Sequence, residues 1–469
     1  MINRRRFLQG AGAVALTGVL GRSAGAASKP DKPNILLLLA DDWSWPHAGM
    51  LGDPVVKTPN FDRIARQGVL FKNAFVTAPS CTPSRAAICT GQYHWRLRGA
   101  ANLGGSLPKD AVTYQDLLVK AGYHVGFSGK GVGPSNNTHR ATRPCGRRFR
   151  GLTEFMKARP KGARFAYWLG SGRPHRPYKL DEGKTSGMDP RKVVVPAGLP
   201  DCPEVRADIC DYYVQIQRFD AACGRILDHL KESGELDNTL IVVTSDNGMP
   251  FPRCKATLYD DGTRVPLAVR WPARIKPGRK VDDFVTLCDL GPTFLSAAGI
   301  DAPSAATGRS LMGILKDPRS GQIEKDRKHA VLGMERHCYP NPCRGLRTAD
   351  FLYIRNYGPK KWPTGEGKWP SEDRDFSFNI DPSPSKKFLV KHRDKAAVKS
   401  FYQLAFGARP GEELYDLKKD PGQVLNVAAK PEYADTKRRL AAILMGELKA
   451  SDDPRVNGKG AEFNKYRSR

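Results

Sequence analysis

Apolar and polar residues alternate in blocks along the first two-thirds of the chain. An apolar run ends in a polar cluster, and a stretch with helical spacing follows. "PNILLLLADD" is continuous apolar sequence closed by two acids. It predicts a buried parallel strand over 34–39, with Asp41 and Asp42 just past its C-terminal end. In "KTPNFDRIARQGVLF", Thr58 can cap a helix, Pro59 suits its first turn, Phe61, Ile64 and Ala65 share a face, and Gly68 can end it. "TYQDLLVKAGYHVGFSGK" reads as helix, turn at Gly122 and strand, with Lys130 behind the strand. "ARFAYWLGSGRPHRPY" supplies another strand, followed by His175. Residues 205–248 read as a long amphipathic helix, a turn and a strand over 240–244, with Asp246 and Asn247 after it.

This alternation predicts an α/β fold: a largely parallel central sheet flanked by helices. Ligands in such sheets bind beyond the C-terminal ends of the strands. Asp41, Asp42, Lys130, His175, Asp246 and Asn247 all fall there, so residues distant in sequence are expected to converge. From about 316 the texture changes. A strand-like run over 351–355, a Pro-, Gly- and charge-rich stretch read as a surface loop, and a helix over 433–449 predict a smaller C-terminal α+β subdomain. The expected division is a catalytic domain over 33–315, the subdomain over 316–451, and a disordered tail over 452–469.

Composition adds charge and a destination. The 469 residues are 40% hydrophobic and 26% charged, which fits a large globular chain. Residues 1–27 join Arg4-Arg5-Arg6-Phe7-Leu8 to a short apolar run and a small-residue end. They read as a twin-arginine signal peptide for export to the periplasm or beyond. The apolar run is too short to span a bilayer, so no stable membrane insertion is expected. The formal net charge is +28. So large an excess points to a polyanionic partner, and no nucleic-acid-binding motif accompanies it. The ten cysteines match no zinc spacing. Cys338 and Cys343 are candidates to pair after export, while Cys89, Cys223 and Cys288 sit among apolar residues and read as packing.

The candidate chemistry centres on "APSCTPSRAAICTG". Ser80 or Thr82 can cap a helix, Pro83 suits its start, and Gly91 can end it. Cys81 then lies at an N-terminal mouth, where free N–H groups and the helix dipole favour an anion and lower a thiol pKa. Arg85 adds a fixed positive charge about one turn in. Taken alone, Cys81 also reads as a buried structural cysteine. Asp41, Asp42, Asp246 and Asn247 offer only hard oxygen ligands, which favour Ca²⁺ or Mg²⁺ over Zn²⁺. Either pair alone also reads as a cap or a turn.

"CTPSRAAICTG" resembles the signature of the type I, formylglycine-dependent sulfatase family. "NILLLLADDW", "GKGVGP", "PHRPY", "TSDNG" and "EELYDLKKDP" follow in that family's order, from about 33 to 449. "TSDNGMPFPRCKATLYDDGTRVPL" and "GMERHCYPNPCRGLRT" are most similar to its heparan N-sulfatase (sulfamidase) branch. The resemblance implies an alkaline-phosphatase-like fold and a sulfuric ester hydrolase acting on sulfate esters, or sulfamates, of a sulfated glycan. It implies one Ca²⁺ per chain, held by Asp41, Asp42, Asp246 and Asn247 with Cys81. A maturation enzyme would convert Cys81 to formylglycine, the nucleophile. Arg85 would stabilise the modified side chain. Lys130, His175 and Lys255 would contact sulfate, with His175 a candidate proton donor; Lys255 also reads as a surface lysine.

One departure stands out. Where the family has Lys-x-His, this chain has "KGV", with Val132 in the histidine's place. His47 is close in sequence to the metal carboxylates and is a candidate substitute, or a plain loop histidine. Glu335, Arg336 and His337, near the domain junction, are candidate sugar contacts or members of an interdomain ion pair. The alternatives are a phosphodiesterase or phosphonate hydrolase of the same superfamily, and a noncatalytic binder of sulfated glycans.

Overall fold

Strand β1 (Asn34–Asp41) is buried along its whole length. Its side chains alternate: Leu36, Leu38 and Ala40 enter one apolar cluster, and Ile35, Leu37 and Leu39 enter another. Both faces of the strand are therefore covered, which the unbroken apolar run requires. The computed structural model describes residues 32–357 and 379–466. In it β1 lies inside an eight-stranded sheet with β2 (Val69–Phe75), β3 (His124–Gly129), β4 (Arg147–Phe149), β5 (Phe165–Pro174), β6 (Thr239–Ser245), β7 (Leu267–Arg270) and β8 (Arg279–Thr286). The order is β4-β3-β5-β1-β6-β7-β2-β8. Only β7 runs antiparallel to its neighbours, so the sheet is largely parallel. The Pro203–Glu232 helix covers the first cluster through Ile209, Tyr213 and Ile216. The Cys81–Thr90 helix covers the second through Ala86, Ile88 and Cys89.

Local details differ from the sequence pattern. β1 runs on to Asp41, and Asp42 follows it with φ 76°. Aspartate in the left-handed region costs roughly 1–3 kcal/mol and persists only where its surroundings hold it. Thr58 does not cap through its side chain; its Oγ1 donates to Asp62 Oδ1 at 3.0 Å and accepts from the Gly49 N–H at 3.0 Å.

A second, antiparallel sheet holds β9 (His329–Arg336), β10 (Pro340–Thr348), β11 (Phe351–Asn356) and β12 (Glu412–Asp416), in the order β12-β11-β10-β9. The Ala434–Ala450 helix packs on it through Leu440, Leu444 and Leu448. Two helices that the sequence pattern did not predict, Pro384–Lys391 and Ala396–Phe406, add Leu389, Val398 and Phe406 to the first cluster. From Lys32 onward the chain forms one compact unit. The expected signal peptide and most of the expected surface loop lie outside the described residues.

The tail is not disordered where it is described. Asp453 is buried against Arg344, Phe463 joins the cluster under the last helix, and Asn102 Nδ2 donates to the carbonyls of Phe463 and Tyr466. Asp453 and Arg455 are engaged internally, whereas Asp452, Lys459, Glu462 and Lys465 face solvent. Among the described residues no helix is long and apolar enough to cross a membrane.

Candidate active site

The helix bearing the cysteine begins at Cys81, with Ser80 in the N-cap position and Pro83 in the first turn. Proline costs nothing there, because the first N–H groups of a helix have no internal partner. Neither expected cap forms. Ser80 Oγ lies 2.8 Å from His337 Nδ1, and Thr82 Oγ1 donates to the Pro134 carbonyl at 3.0 Å. Gly91 ends the helix at φ 67°, and a Cβ there would approach Pro292 Cδ to 2.8 Å. Only glycine satisfies both conditions.

Around this helix start the rim of the sheet gathers its charges. Asp41, Cys81 and Asp246 each turn a ligand atom to one point, all within 4.8 Å of one another. Cys81 Sγ is 3.4 Å from Asp41 Oδ1. Arg85 Nε donates to Asp246 Oδ2 at 2.6 Å, and its Nη1 donates to the carbonyls of Lys130 and Gly131. Lys130 Nζ lies 2.6 and 2.9 Å from the two oxygens of Asp41. Lys255 Nζ bridges Asp42 Oδ2 at 2.9 Å and Asp381 Oδ2 at 3.2 Å. His175 Nε2 is 3.9 Å from Asp42 Oδ2. The side chains of Lys130, Asp381 and His175 are 21%, 19% and 35% exposed, whereas Asp42, Arg85 and Asp246 are buried. The former mark the open side. The structure thus brings together Asp41, Asp42, Cys81, Arg85, Lys130, His175, Asp246, Asn247 and Lys255.

The electrostatics leave room for a cation. Burial pushes the Asp246 carboxyl up to about 6, with Asp41 and Asp42 adding repulsion and Arg85 opposing it. Burial also works against Asp41, but Lys130 and Arg85 outweigh it and hold that carboxyl well below the usual range. Asn247 Nδ2 donates to Asp42 Oδ1 at 2.6 Å and to the Gly248 carbonyl at 3.0 Å, which fixes the amide orientation. Its Oδ1 is then buried without a hydrogen-bond partner. An orphaned amide oxygen beside crowded carboxylates is the donor set of a hard divalent cation.

The thiol overturns one expectation. The helix mouth was expected to lower its pKa, yet burial, with Asp41 next, pushes Cys81 well above its ordinary value. Burial is the first cause, and the carboxylates of Asp41 and Asp246 add to it. An unmodified thiol here stays protonated and is a poor nucleophile.

Two groups were missed or misplaced by sequence reasoning. Asp381 sits in "DPSPS", at the end of the stretch read as a surface loop, and no local signal marks it. Burial opposes its ionisation, but Lys255 and His175 hold its carboxyl down at about 2. His337 is buried beside Ser80, and burial, with the Lys255 charge, pushes its pKa down to about 3.

The remaining candidates are placed elsewhere. Glu335 is buried in ion pairs with Arg344 and Arg455, so it is unavailable as a sugar contact. Arg336 ends β9, half-buried, its carbonyl accepting from the Leu103 N–H. His47 is buried and committed to Tyr213 Oη at 2.8 Å and Asp53 at 3.4 Å, because the Pro203–Glu232 helix presents that tyrosine to it. Val132 packs in the second apolar cluster and has no proton to give or take.

Known proteins resemble this chain in sequence and fold. A family model described as Sulfatase matches residues 33–155 and 147–300, and one described as N-sulphoglucosamine sulphohydrolase, C-terminal, matches residues 254–364. The chain is 30% identical over 454 residues to N-sulphoglucosamine sulphohydrolase of Homo sapiens, covering 86% of this chain and 87% of that one. It is 26% identical over 461 residues to an ulvan-active sulfatase of Formosa agariphila, covering 88% and 74%. A protein solved in complex with its substrate, D-glucosamine-2-N,6-O-disulfate, superposes with a TM-score of 0.64 at 21% identity, over 90% of this chain and 99% of that one. At that identity the likeness shows a shared fold.

Proposed function

Because the chain belongs to the sulfatase family, we propose that it removes sulfate, as ester or sulfamate, from glycosaminoglycan-type saccharides. The proposal includes formylglycine made from Cys81, a bound Ca²⁺ and export by the twin-arginine route to the periplasm or beyond. The observation that carries it is the gathering of Arg85, Lys130, Lys255 and His175 on the carboxylates of Asp41, Asp42 and Asp246, beside Cys81 at a helix N-terminus. Residues 4–8 and the net charge of +28 support export and a polyanionic substrate.

Asp41, Asp42, Asp246 and Asn247 would hold the ion, which when bound polarises a sulfate oxygen as a Lewis acid. Formylglycine supplies a hydrated-aldehyde oxygen as nucleophile toward sulfur. Cys81 is 2% exposed, so a maturation enzyme must reach it before folding is complete. Lys130 and Lys255 are fixed ammonium donors for the sulfate oxygens, preorganised by Asp41, Asp42 and Asp381. His175 Nδ1 lies 2.6 Å from the Arg176 carbonyl. A carbonyl only accepts, so Nδ1 carries a hydrogen and Nε2 is the atom that faces the pocket. A proton on Nε2 can pass to the leaving oxygen or nitrogen.

The test is expression with a maturation enzyme, followed by peptide mass spectrometry across Cys81 and sulfate-release assays. Conversion lowers the peptide mass by about 18 Da. The converted protein should release sulfate from N-sulfoglucosamine, glucosamine 6-sulfate or ulvan oligosaccharides, and the unconverted protein should not. A converted protein that cleaves phosphonate monoesters, or that binds sulfated glycans without releasing sulfate, overturns the reading.

A further inference from the structure

We propose that Cys89 and Cys145 form a disulfide in the mature protein, stapling the helix that bears Cys81 to the segment that begins with Lys130. The two sulfurs are 3.8 Å apart, and both are buried. Cys89 lies on the same helix as Cys81. Cys145 ends the stretch between β3 and β4, the stretch that starts with Lys130 and gives the carbonyls of Lys130 and Gly131 to Arg85. The bond would therefore tie together two pieces of chain that supply the site, from positions 56 residues apart. The one polar side chain recorded on either sulfur is Gln115, whose Nε2 lies 3.5 Å from Cys89 Sγ. Among the described residues no third His, Cys, Asp or Glu joins the pair.

All ten cysteines, Cys89 and Cys145 as well as Cys338 and Cys343, are free thiols in this structure. What singles out Cys89 and Cys145 is the 3.8 Å between their sulfurs, whereas Cys343 stands opposite Met334 in the β9–β10 ladder. Closing Cys89 and Cys145 brings the sulfurs from 3.8 Å to about 2.05 Å. Access runs through Cys145, which lines a cavity of about 600 Å³ with Gly131, Val132, Asn137 and Arg140. The oxidant is a disulfide, either of a dithiol–disulfide oxidoreductase or of low molecular weight. The Cys145 sulfur attacks one sulfur of that disulfide and expels the other as a thiol. The Cys89 sulfur then attacks Cys145 Sγ in the mixed disulfide and expels the second thiol. The two cysteines lose two electrons and two protons, and the oxidant's disulfide becomes two thiols.

The experiment uses the full chain, folded and exposed to oxidised glutathione, then denatured and alkylated without reduction. Mass spectrometry should find the Cys89 and Cys145 peptides joined, about 2 Da lighter than the two thiol peptides together. Reduction should lower the Tm by roughly 5 °C in this protein and leave Cys145→Ala and Cys89→Ala unchanged. Full alkylation of both cysteines after oxidation overturns the proposal. So does a link between Cys338 and Cys343 in their place, or an equal Tm loss on reduction in the variants.

Discussion

Two buried charge clusters can be set side by side, one at the rim of the central sheet and one under the second sheet. In the second, all five N–H groups of Arg344 are used. Nε and Nη2 reach Asp453 and Glu335 at 2.6–3.0 Å, and Nη1 reaches the carbonyls of Met334 and Cys343. Arg455 closes the other side of Glu335. At the rim, Arg85 Nη2 and Asn247 Oδ1 are buried without hydrogen-bond partners, and Asp246 is pushed up to about 6, by burial first. The ion pairs of the second cluster are complete among themselves and tie distant pieces of chain together, although the ring nitrogens of the adjacent His94 and Trp95 have no hydrogen-bond partners. The first is incomplete, and incompleteness in a buried polar network marks a place for a ligand.

That contrast can be broken by two substitutions. Cys81→Ala in the converted protein's background should lower sulfate release by at least about 10⁴-fold, because the nucleophile is gone. Its urea midpoint should hardly move, since one small side chain is shortened. Arg344→Ala should do the reverse. It leaves Glu335 and Asp453 buried beside fewer cations, at a cost of about 3–5 kcal/mol read from urea unfolding. Sulfate release per folded molecule should persist. If Arg344→Ala silenced the folded enzyme at unchanged stability, the clusters would not differ in kind.

A third test sharpens the comparison at the rim alone. Unfolding in EDTA and in excess Ca²⁺ should differ by about 2.7 kcal/mol when the ion is present at 100 times its Kd. Asp246→Asn should abolish that difference, whatever its own effect on stability. An equal gain from Ca²⁺ in the variant would move the ion to other residues.

Much of this molecule is legible in its sequence. The unbroken apolar run of β1, the polar clusters after β1, β3, β5 and β6, and the Cys81–Gly91 stretch all announce themselves locally. Their convergence follows from parallel-sheet topology. The rest depends on partners that no local pattern names. Arg344 and Asp453 are 109 positions apart, so the tail that carries Asp453 reads as disordered until its arginine is known. Asp381 gains its role from Lys255, 126 positions away. The direction of the Cys81 shift was misread for the same reason. The helix is local, while the burial that raises the thiol first, and the Asp41 and Asp246 carboxylates that add to it, come from distant parts of the chain. His337 replaces an expected Ser80 cap by reaching in from the far end of β9.

The smallest expected effect lies on the link between the two regions. Asp260, shortly after Lys255 in the chain, receives Arg347 of β10 through two bonds of 2.8 Å. Burial opposes ionisation of Asp260, but the Arg347 guanidinium holds its carboxyl down at about 2 against an ordinary 3.8. A depressed folded pKa means the pair stabilises fully above 3.8, and the benefit is lost as pH falls through 2. Its size is at most about 2 kcal/mol. Asp260→Asn should therefore be less stable than the natural protein near pH 5, and the gap in urea midpoint should narrow between about pH 4 and pH 2. A gap that stays constant over that window would mean the aspartate contributes through shape rather than charge. The two regions would then be joined by packing, and the electrostatic contrast between them would stop at their own clusters.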